Sequence, residues 1–183
     1  MNQSDILTPR LRLVTLSPEM IDADAAGDYA LLGSLLGAVV LPEWPPEHWE
    51  PHVFDFFRRQ YAEHPHTIGW SRYVVTRVSP TLIGTLGGFP RTQDEVEVGY
   101  GILPPWQRQG YASEGFRAML AALFQEDRVS SATAQTFPHL DASLGVLRKA
   151  GFEPAGEGDE PGAVRFRLQR ECFQNRDDER RPL

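Results

Sequence analysis

The 183-residue chain has a single cysteine, Cys172, so no disulfide can form within it and a cysteine-rich zinc site is excluded. A surplus of basic charge is missing too. Its 18 Lys and Arg face 25 Asp and Glu, a net charge of −7, whereas nucleic-acid binders are usually basic. An acidic surface draws cations over long range, which suits an amine-bearing partner. Long apolar runs are absent: the most apolar stretch, Ala30 to Leu41, contains Gly33, Ser34 and Gly37 and is shorter than the roughly 20 residues of a bilayer-spanning helix. The first residues, Met1-Asn2-Gln3-Ser4-Asp5, lack the basic and apolar regions of a signal peptide. No His-Glu-x-x-His run occurs. Of His48, His52, His64, His66 and His139, the first two are four apart, but Pro51 between them argues against one regular helix presenting both. The expectation is a soluble, cytoplasmic protein with no metal, no membrane and no nucleic-acid partner.

What is present is the composition of an ordinary core. Hydrophobic residues make up 41% and charged residues 23%, close to the globular average, and a chain of this length fits one domain. Residues 1–173 read as that domain, without repeat or linker. Residues 174–183, Gln-Asn-Arg-Asp-Asp-Glu-Arg-Arg-Pro-Leu, are polar and mixed in charge and are expected to fray.

Leu11 to Leu16 alternates apolar and other residues and predicts a first strand. Ser17-Pro18-Glu19 reads as a helix start, with serine as N-cap and proline at the first helical position. From Ile21 to Tyr61 the pattern is helical but interrupted, because Pro42, Pro45, Pro46 and Pro51 force a loop between helical pieces. Arg72 to Val78 and Leu82 to Phe89 predict a hairpin around Ser79-Pro80-Thr81, and Glu95 to Leu103 a third strand stopped by Pro104-Pro105. The clearest helix follows, where Ala112, Gly115, Phe116, Met119, Leu120, Leu123 and Phe124 form a continuous apolar stripe. Ser130 to Thr136 is a short strand, Ala142 to Ala150 a helix and Val164 to Leu168 a final strand. Gly151 sits where a helix end wants a residue free to take positive φ. The order β-α-α-β-β-β-α-β-α-β predicts an α/β (α+β) domain, a mixed sheet flanked by helices.

Glu95 to Ala112 is a strand, a glycine-containing loop and the start of an amphipathic helix. Such a junction gathers unpaired N–H groups and the positive end of a helix dipole, a seat for an anion and above all for a pyrophosphate. Gly110 lets a ligand approach the backbone, and Arg108 adds a charge-assisted contact to phosphate. Two common phosphate motifs are missing. No Gly-x-x-x-x-Gly-Lys-Ser/Thr run occurs, and Gly99-x-Gly101 is followed by Pro104 where a dinucleotide fold needs its third glycine.

Gln107-x-x-Gly110-x-Ala112 resembles the Gln/Arg-x-x-Gly-x-Gly/Ala signature of the GNAT superfamily of acyl-CoA-dependent N-acyltransferases. The likeness extends to its ribosomal-protein N-acetyltransferase (RimJ/RimL-type) branch through Glu97-Val98-Gly99-Tyr100, Ser113-Glu114, Thr8-Pro9-Arg10-Leu11-x-Leu13 and Ala142-Ser143-x-x-Val146-Leu147-x-Lys149-x-Gly151-Phe152. Together these blocks cover Leu7 to Leu168. The resemblance implies a mostly antiparallel central sheet with splayed central strands, and acetyl-CoA as co-substrate. It implies that Gln107, Arg108, Gln109, Gly110, Tyr111, Ala112 and Ser113 surround the phosphates, and that Ile102 and Leu103 offer backbone groups to the pantetheine amides. The backbone near Ile102 would also polarise the thioester carbonyl. Ser143 matches the family serine near the CoA sulfur. The branch has Asn three residues before that serine; Leu140 stands there instead, with Asp141 beside it.

Acetyl transfer to an amine needs a lone pair, and a primary amine with a pKa of about 10 is mostly protonated at neutral pH, so a base must take its proton. Alternation places Glu95, Glu97, Gly99, Gly101 and Leu103 on one face of their strand and Val96, Val98, Tyr100 and Ile102 on the other. Glu97 shares its face with two glycines that leave room for a ligand. The family often places its base at this position, which makes Glu97 the candidate. The acceptor is a protein N-terminal α-amine or a small-molecule amine, bound within Ala30 to Trp70, where Trp44 and Trp49 either wall the pocket or serve as loop packing. Two other classes stay open: a non-catalytic acyl-CoA sensor, and a structural interaction protein without ligand. The C-terminal strand of this fold often pairs with a second copy, so a homodimer is possible.

Overall fold

The computed structural model describes residues 4–46 and 49–178. Its strands are β1 (Ile6–Leu7), β2 (Leu11–Thr15), β3 (Val39–Val40), β4 (Arg72–Thr76), β5 (Thr81–Pro90), β6 (Glu95–Ile102), β7 (Ser131–Thr136), β8 (Glu153–Glu157) and β9 (Val164–Gln169). The α-helices are α1 (Pro18–Ala25), α2 (Tyr29–Leu36), α3 (Pro51–Glu63), α4 (Tyr111–Leu123), α5 (Asp141–Ala150) and α6 (Arg170–Asp178). Eight strands lie in the order β1-β2-β4-β5-β6-β7-β9-β8, with β3 pairing β5. Every pairing is antiparallel except β6–β7 and β3–β5. No helix among the described residues is long and apolar enough to cross a membrane.

Local chemistry sets the element ends. Ser17 caps α1, its hydroxyl accepting from the Met20 N–H at 3.3 Å, with Pro18 in the first turn. Gly151 closes α5 at φ +97°, a left-handed conformation that glycine adopts without a Cβ clash. The hairpin of β4 and β5 forms as its pattern predicts.

The sheet separates two cores. On one face Val96, Val98 and Ile102 of β6 pack with Phe116, Met119, Leu120 and Leu123 of α4 and with Leu144 and Leu147 of α5. On the other, Val14, Tyr73, Val75, Leu82 and Leu103 meet Ile21, Leu32, Leu36, Phe54 and Phe57 of α1, α2 and α3. Half-buried Trp106 touches both.

Past Phe173 the expected tail begins inside α6, which continues to Asp178, and Phe173 packs on Phe124 at 5.4 Å between ring centroids. Residues 179–183 lie outside the described part. Three strands go beyond the sequence pattern. β1 and β3 have two residues each, and β8 (Glu-Pro-Ala-Gly-Glu) is exposed throughout and so has no alternation to read.

Candidate active site

β6 is paired along its whole length on one side only. Its ladder to β5 runs from Pro90↔Val96 to Gly84↔Ile102, and the Leu103 N–H extends it by donating to the Ile83 carbonyl at 2.8 Å. The ladder to β7 covers just Glu95↔Ser131, Val96↔Ala132 and Glu97↔Thr133, after which the strands part. Backbone polar groups of an antiparallel strand alternate between its neighbours. With Leu103 bonded to β5, the Val98 N–H closes the last rung to Thr133, and the Val98 carbonyl and the groups of Tyr100 and Ile102 point to the parted side. They form an unpaired edge inside the fold, able to bond an extended ligand as a strand would. The assignment of Leu103 is corrected accordingly: its N–H belongs to β5 and its carbonyl accepts from Trp106 at 2.9 Å. Ile102 lies on the edge, but its carbonyl is taken by Gln107 Nε2 at 2.8 Å. Gln107 therefore braces the loop, and Gln109 does likewise through Nε2 to the Pro105 carbonyl at 2.9 Å.

Beyond β6 the chain makes a 3-10 turn over Pro104–Trp106 and reaches α4. Arg108 has φ +58°, a conformation that costs a non-glycine residue about 1 kcal/mol or more, and Gly110 has φ +84°. The first bond within α4 joins the Glu114 N–H to the Gly110 carbonyl at 3.0 Å. The N–H groups of Tyr111, Ala112 and Ser113 thus lack an intrahelical acceptor, and no side chain caps them. Bare amides, the helix dipole and exposed Arg108 make a seat that fits a pyrophosphate.

Arg10 completes this seat and is absent from the sequence reading of it. Its Nε donates to Glu114 Oε2 at 2.6 Å and Nη1 to the Gln109 carbonyl at 2.9 Å, while the guanidinium lies 4.4 Å from the Tyr111 ring centroid. Its third nitrogen is left beside Gly110, 3.3 Å from where a Cβ would stand. Glu114 also accepts from the Thr8 hydroxyl at 2.6 Å and the Arg10 N–H at 2.9 Å. Burial raises the pKa of its carboxyl, but these donors outweigh burial and hold it below the ordinary value. The signal for Arg10 was the Thr8-Pro9-Arg10 block, whose partner Glu114 lies over a hundred residues away.

Tyr100 is a second addition. It bridges the parted strands to α5, its hydroxyl 3.0 Å from the Ser143 carbonyl and 3.1 Å from Ser143 Oγ. Burial pushes its phenol above the usual range. Ser143 is half-buried in the first turn of α5, whose N-cap is Leu140, with no side chain capping it.

Glu97 lies on the opposite face, at the last paired rung. One carboxylate oxygen accepts from Arg91 and the other from Gln135 Nε2 at 2.7 Å. Arg91 reaches Asp159 through Nη1 at 2.9 Å and Nη2 at 3.0 Å, and Gln135 Nε2 meets Asp159 at 2.8 Å. Arg91, first among its neighbours, holds the Asp159 carboxyl far below the usual carboxylate range. Next along the strand, Gly99 faces open space, and a Cβ on Gly101 would stand 3.8 Å from Pro46. Phe89, opposite Glu97 on β5, meets Phe56 at 5.3 Å between centroids. Thr133, the rung partner of Glu97, is fully buried, and its hydroxyl has no partner among the described residues. Of the histidine pair, His48 is outside the described residues, and exposed His52 faces Glu50 at 3.5 Å.

The chain matches the acetyltransferase (GNAT) domain family over residues 10–153, well over half its length. It belongs to the GNAT acetyltransferase family. Solved structures share the fold at low identity. RimL, a ribosomal L7/L12 α-N-protein acetyltransferase in complex with coenzyme A, is 14% identical, covering 92% of this chain and 99% of its own, with a TM-score of 0.63. Ribosomal-protein-S5-alanine acetyltransferase from Vibrio fischeri is 16% identical, covering 92% and 98%, with a TM-score of 0.62. The spermidine/spermine N-acetyltransferase SpeG from Vibrio cholerae is 17% identical, covering 93% and 99%, with a TM-score of 0.61. No curated protein matches the sequence. The GNAT family draws its acetyl group from acetyl-CoA, and the bare amides of α4 with the unpaired edge of β6 fit that co-substrate.

Proposed function

We propose that this GNAT enzyme acetylates a primary amine, with cofactor and acceptor reaching the parting of β6 and β7 from opposite faces of the sheet. The observation that carries the reading is the continuity of an unpaired strand edge, Val98 to Ile102, with an uncapped helix N-terminus at Gly110. Tyr111, Ala112, Ser113 and Arg108, joined by Arg10, would hold the pyrophosphate, and the edge of β6 would bond the pantetheine arm. When bound, acetyl-CoA supplies an activated thioester whose thiol leaves as the amine takes the acetyl group.

This chain's residues serve that exchange from two sides. On the face of α4 and α5, Ser143 and Tyr100 share a hydrogen bond and offer a proton to the departing sulfur. On the open face, Glu97 takes the proton of the incoming amine, directly or through water. Gly99 leaves space for the amine to approach, and Phe56 and Phe89 provide an apolar wall beside it.

The non-catalytic sensor reading has one observation in its favour: both oxygens of Glu97 already accept hydrogen bonds. Release of free CoA from acetyl-CoA, measured across N-terminal peptides and polyamines, decides between the two. Turnover with any of these amines supports the enzyme. Silence throughout, with CoA at 100 times its Kd still stabilising the fold by about 2.7 kcal/mol, supports the sensor.

A further inference from the structure

Asp24, near the end of α1, is 4% exposed, and its described partners are three neutral donors rather than a cation. Trp44 Nε1 donates to Oδ1 at 2.8 Å; Trp49 Nε1 and the Tyr73 hydroxyl donate to Oδ2, each at 2.8 Å. Burial pushes the carboxyl above its ordinary value while the three donors pull against it. A buried acid is expensive unless its hydrogen bonds are satisfied. Here they are, by two residues of the proline-rich loop between β3 and α3 and one residue of the sheet.

The placement of those donors matters. Tyr73, Thr85 and Gly101 stand opposite one another on β4, β5 and β6, so the carboxylate is tied to the sheet two strands from the splayed edge. Pro46, between the two tryptophans in sequence, reaches over β6, 3.8 Å from the Cβ position of Gly101. Gly99, the next residue on that face towards Glu97, opens to free space. Pro46 therefore bounds the opening on one side and Glu97 on the other. The rings around the acid are packed together: Trp44 and Tyr73 at 5.9 Å, Trp49 and Phe57 at 5.6 Å between centroids.

We infer that Asp24 is a positioning residue: it staples Trp44 and Trp49 to the sheet, fixes Pro46 as the far wall of the acceptor opening, and sets affinity for the acceptor amine without touching it. This rests on the amine acetylation proposed above. The test compares Asp24→Asn, Trp49→Phe and the double variant with wild type. It uses steady-state kinetics with an accepted amine, CoA-induced thermal shift and tryptophan emission. Asp24→Asn is expected to raise the acceptor KM about tenfold, the worth of one hydrogen bond to a charged group, with the acetyl-CoA KM unchanged. Trp49→Phe keeps an aromatic side chain but exchanges the indole for a smaller phenyl and removes the N–H that reaches Oδ2, while Trp44 and Tyr73 still hold Asp24. A smaller rise of about threefold is expected, and the double variant should be no worse than Asp24→Asn. Emission of Asp24→Asn should shift to the red as the indoles meet water. Equal losses for acceptor and acetyl-CoA, or a lowered Tm with both KM values intact, would overturn the inference and leave Asp24 a core group. Should Asp24→Asn fail to fold, Trp49→Phe carries the same two outcomes. If wild type acetylates no amine, the proposed function fails and takes the acceptor role of Asp24 with it, while emission still judges the staple: an unshifted spectrum removes it too.

Discussion

The face of β6 that meets α4 and the face that meets the proline-rich loop are built by different means. On the first, Val96, Val98, Tyr100 and Ile102 pack into one core with α4 and α5, and the working parts are backbone: an unpaired edge and three uncapped amides. On the second, Glu97, Gly99 and Gly101 leave space, and the working parts are side chains gathered from Asp24, Trp44, Pro46, Arg91, Gln135 and Asp159. Backbone geometry serves one ligand whatever the side chains are, which suits a fixed co-substrate. Side chains brought from distant segments change one at a time, which suits an acceptor that differs between enzymes. RimL and SpeG, so different in their named substrates, share this fold.

The sharpest way to break that contrast is to disable the backbone seat alone. Gly110→Asp places a carboxylate where the diphosphate would sit, and aspartate tolerates left-handed backbone better than most residues. Affinity for CoA should fall at least about a hundredfold through like-charge repulsion, while Tm without ligand stays within a few degrees. Isothermal titration with CoA, beside a melting curve, checks both halves. Loss of CoA binding together with loss of fold would mean that the seat and the core cannot be separated.

The matching test on the open face is Glu97→Gln. It keeps the shape and the bond from Gln135 but removes the proton acceptor, so kcat should drop about a hundredfold, the lower range for a lost general base. The acetyl-CoA KM should hold if the cofactor is bound, as proposed, on the other face. A kcat within about twofold of wild type would assign the proton to water instead.

Sequence reads the two faces unequally for the same reason. The cofactor seat is local: strand, 3-10 turn, glycine and helix follow one another from Glu95 to Leu123, so periodicity and capping rules reach it. Even there a residue brought from afar escapes. Arg10 joins the seat from the first strand through Glu114, the Gln109 carbonyl and the Tyr111 ring, and the family resemblance implied Leu103 on the pantetheine although its N–H continues the β5 ladder. The open face is non-local. Asp24, Trp44 and Tyr73 meet across 50 positions of chain, counting from 24 to 73 inclusive, and nothing in their own neighbourhoods announces the contact. At the end of the chain polarity hides the anchors of α6: Phe173 packs on Phe124, and the Arg170 guanidinium donates to the Val129, Glu126 and Asp127 carbonyls.

Tyr100 belongs with Ser143 to the face of α4 and α5, and removing its hydroxyl should cost less. Tyr100→Phe keeps the ring on Phe116, 4.8 Å between centroids, and deletes the hydroxyl shared with Ser143. Losing one buried hydrogen bond corresponds to about 1 kcal/mol, hence about fivefold in kcat. Combined with Ser143→Ala, the loss should be much less than the product of the two, because either change empties the same bond. Full multiplication would mean that the two hydroxyls act separately.

The smallest effect concerns how the first strand is fastened to the cofactor seat. Glu114 has a folded-state pKa below its ordinary value of 4.5, because the Thr8 hydroxyl and the Arg10 donors overcome burial. A carboxyl lowered in this way stabilises the fold above its unfolded value, and the contribution disappears as pH falls through the folded one. Glu114→Gln should therefore be less stable than wild type by about 1 kcal/mol at neutral pH, the net worth of the lost charge-assisted bonds. The gap should close as pH drops below about 4.5. Urea unfolding at a series of pH values measures it directly. A gap that stays constant down to the acid limit would mean that Glu114 contributes shape and hydrogen bonding but no charge, and that Arg10 is held at the helix mouth by Tyr111 and the Gln109 carbonyl alone.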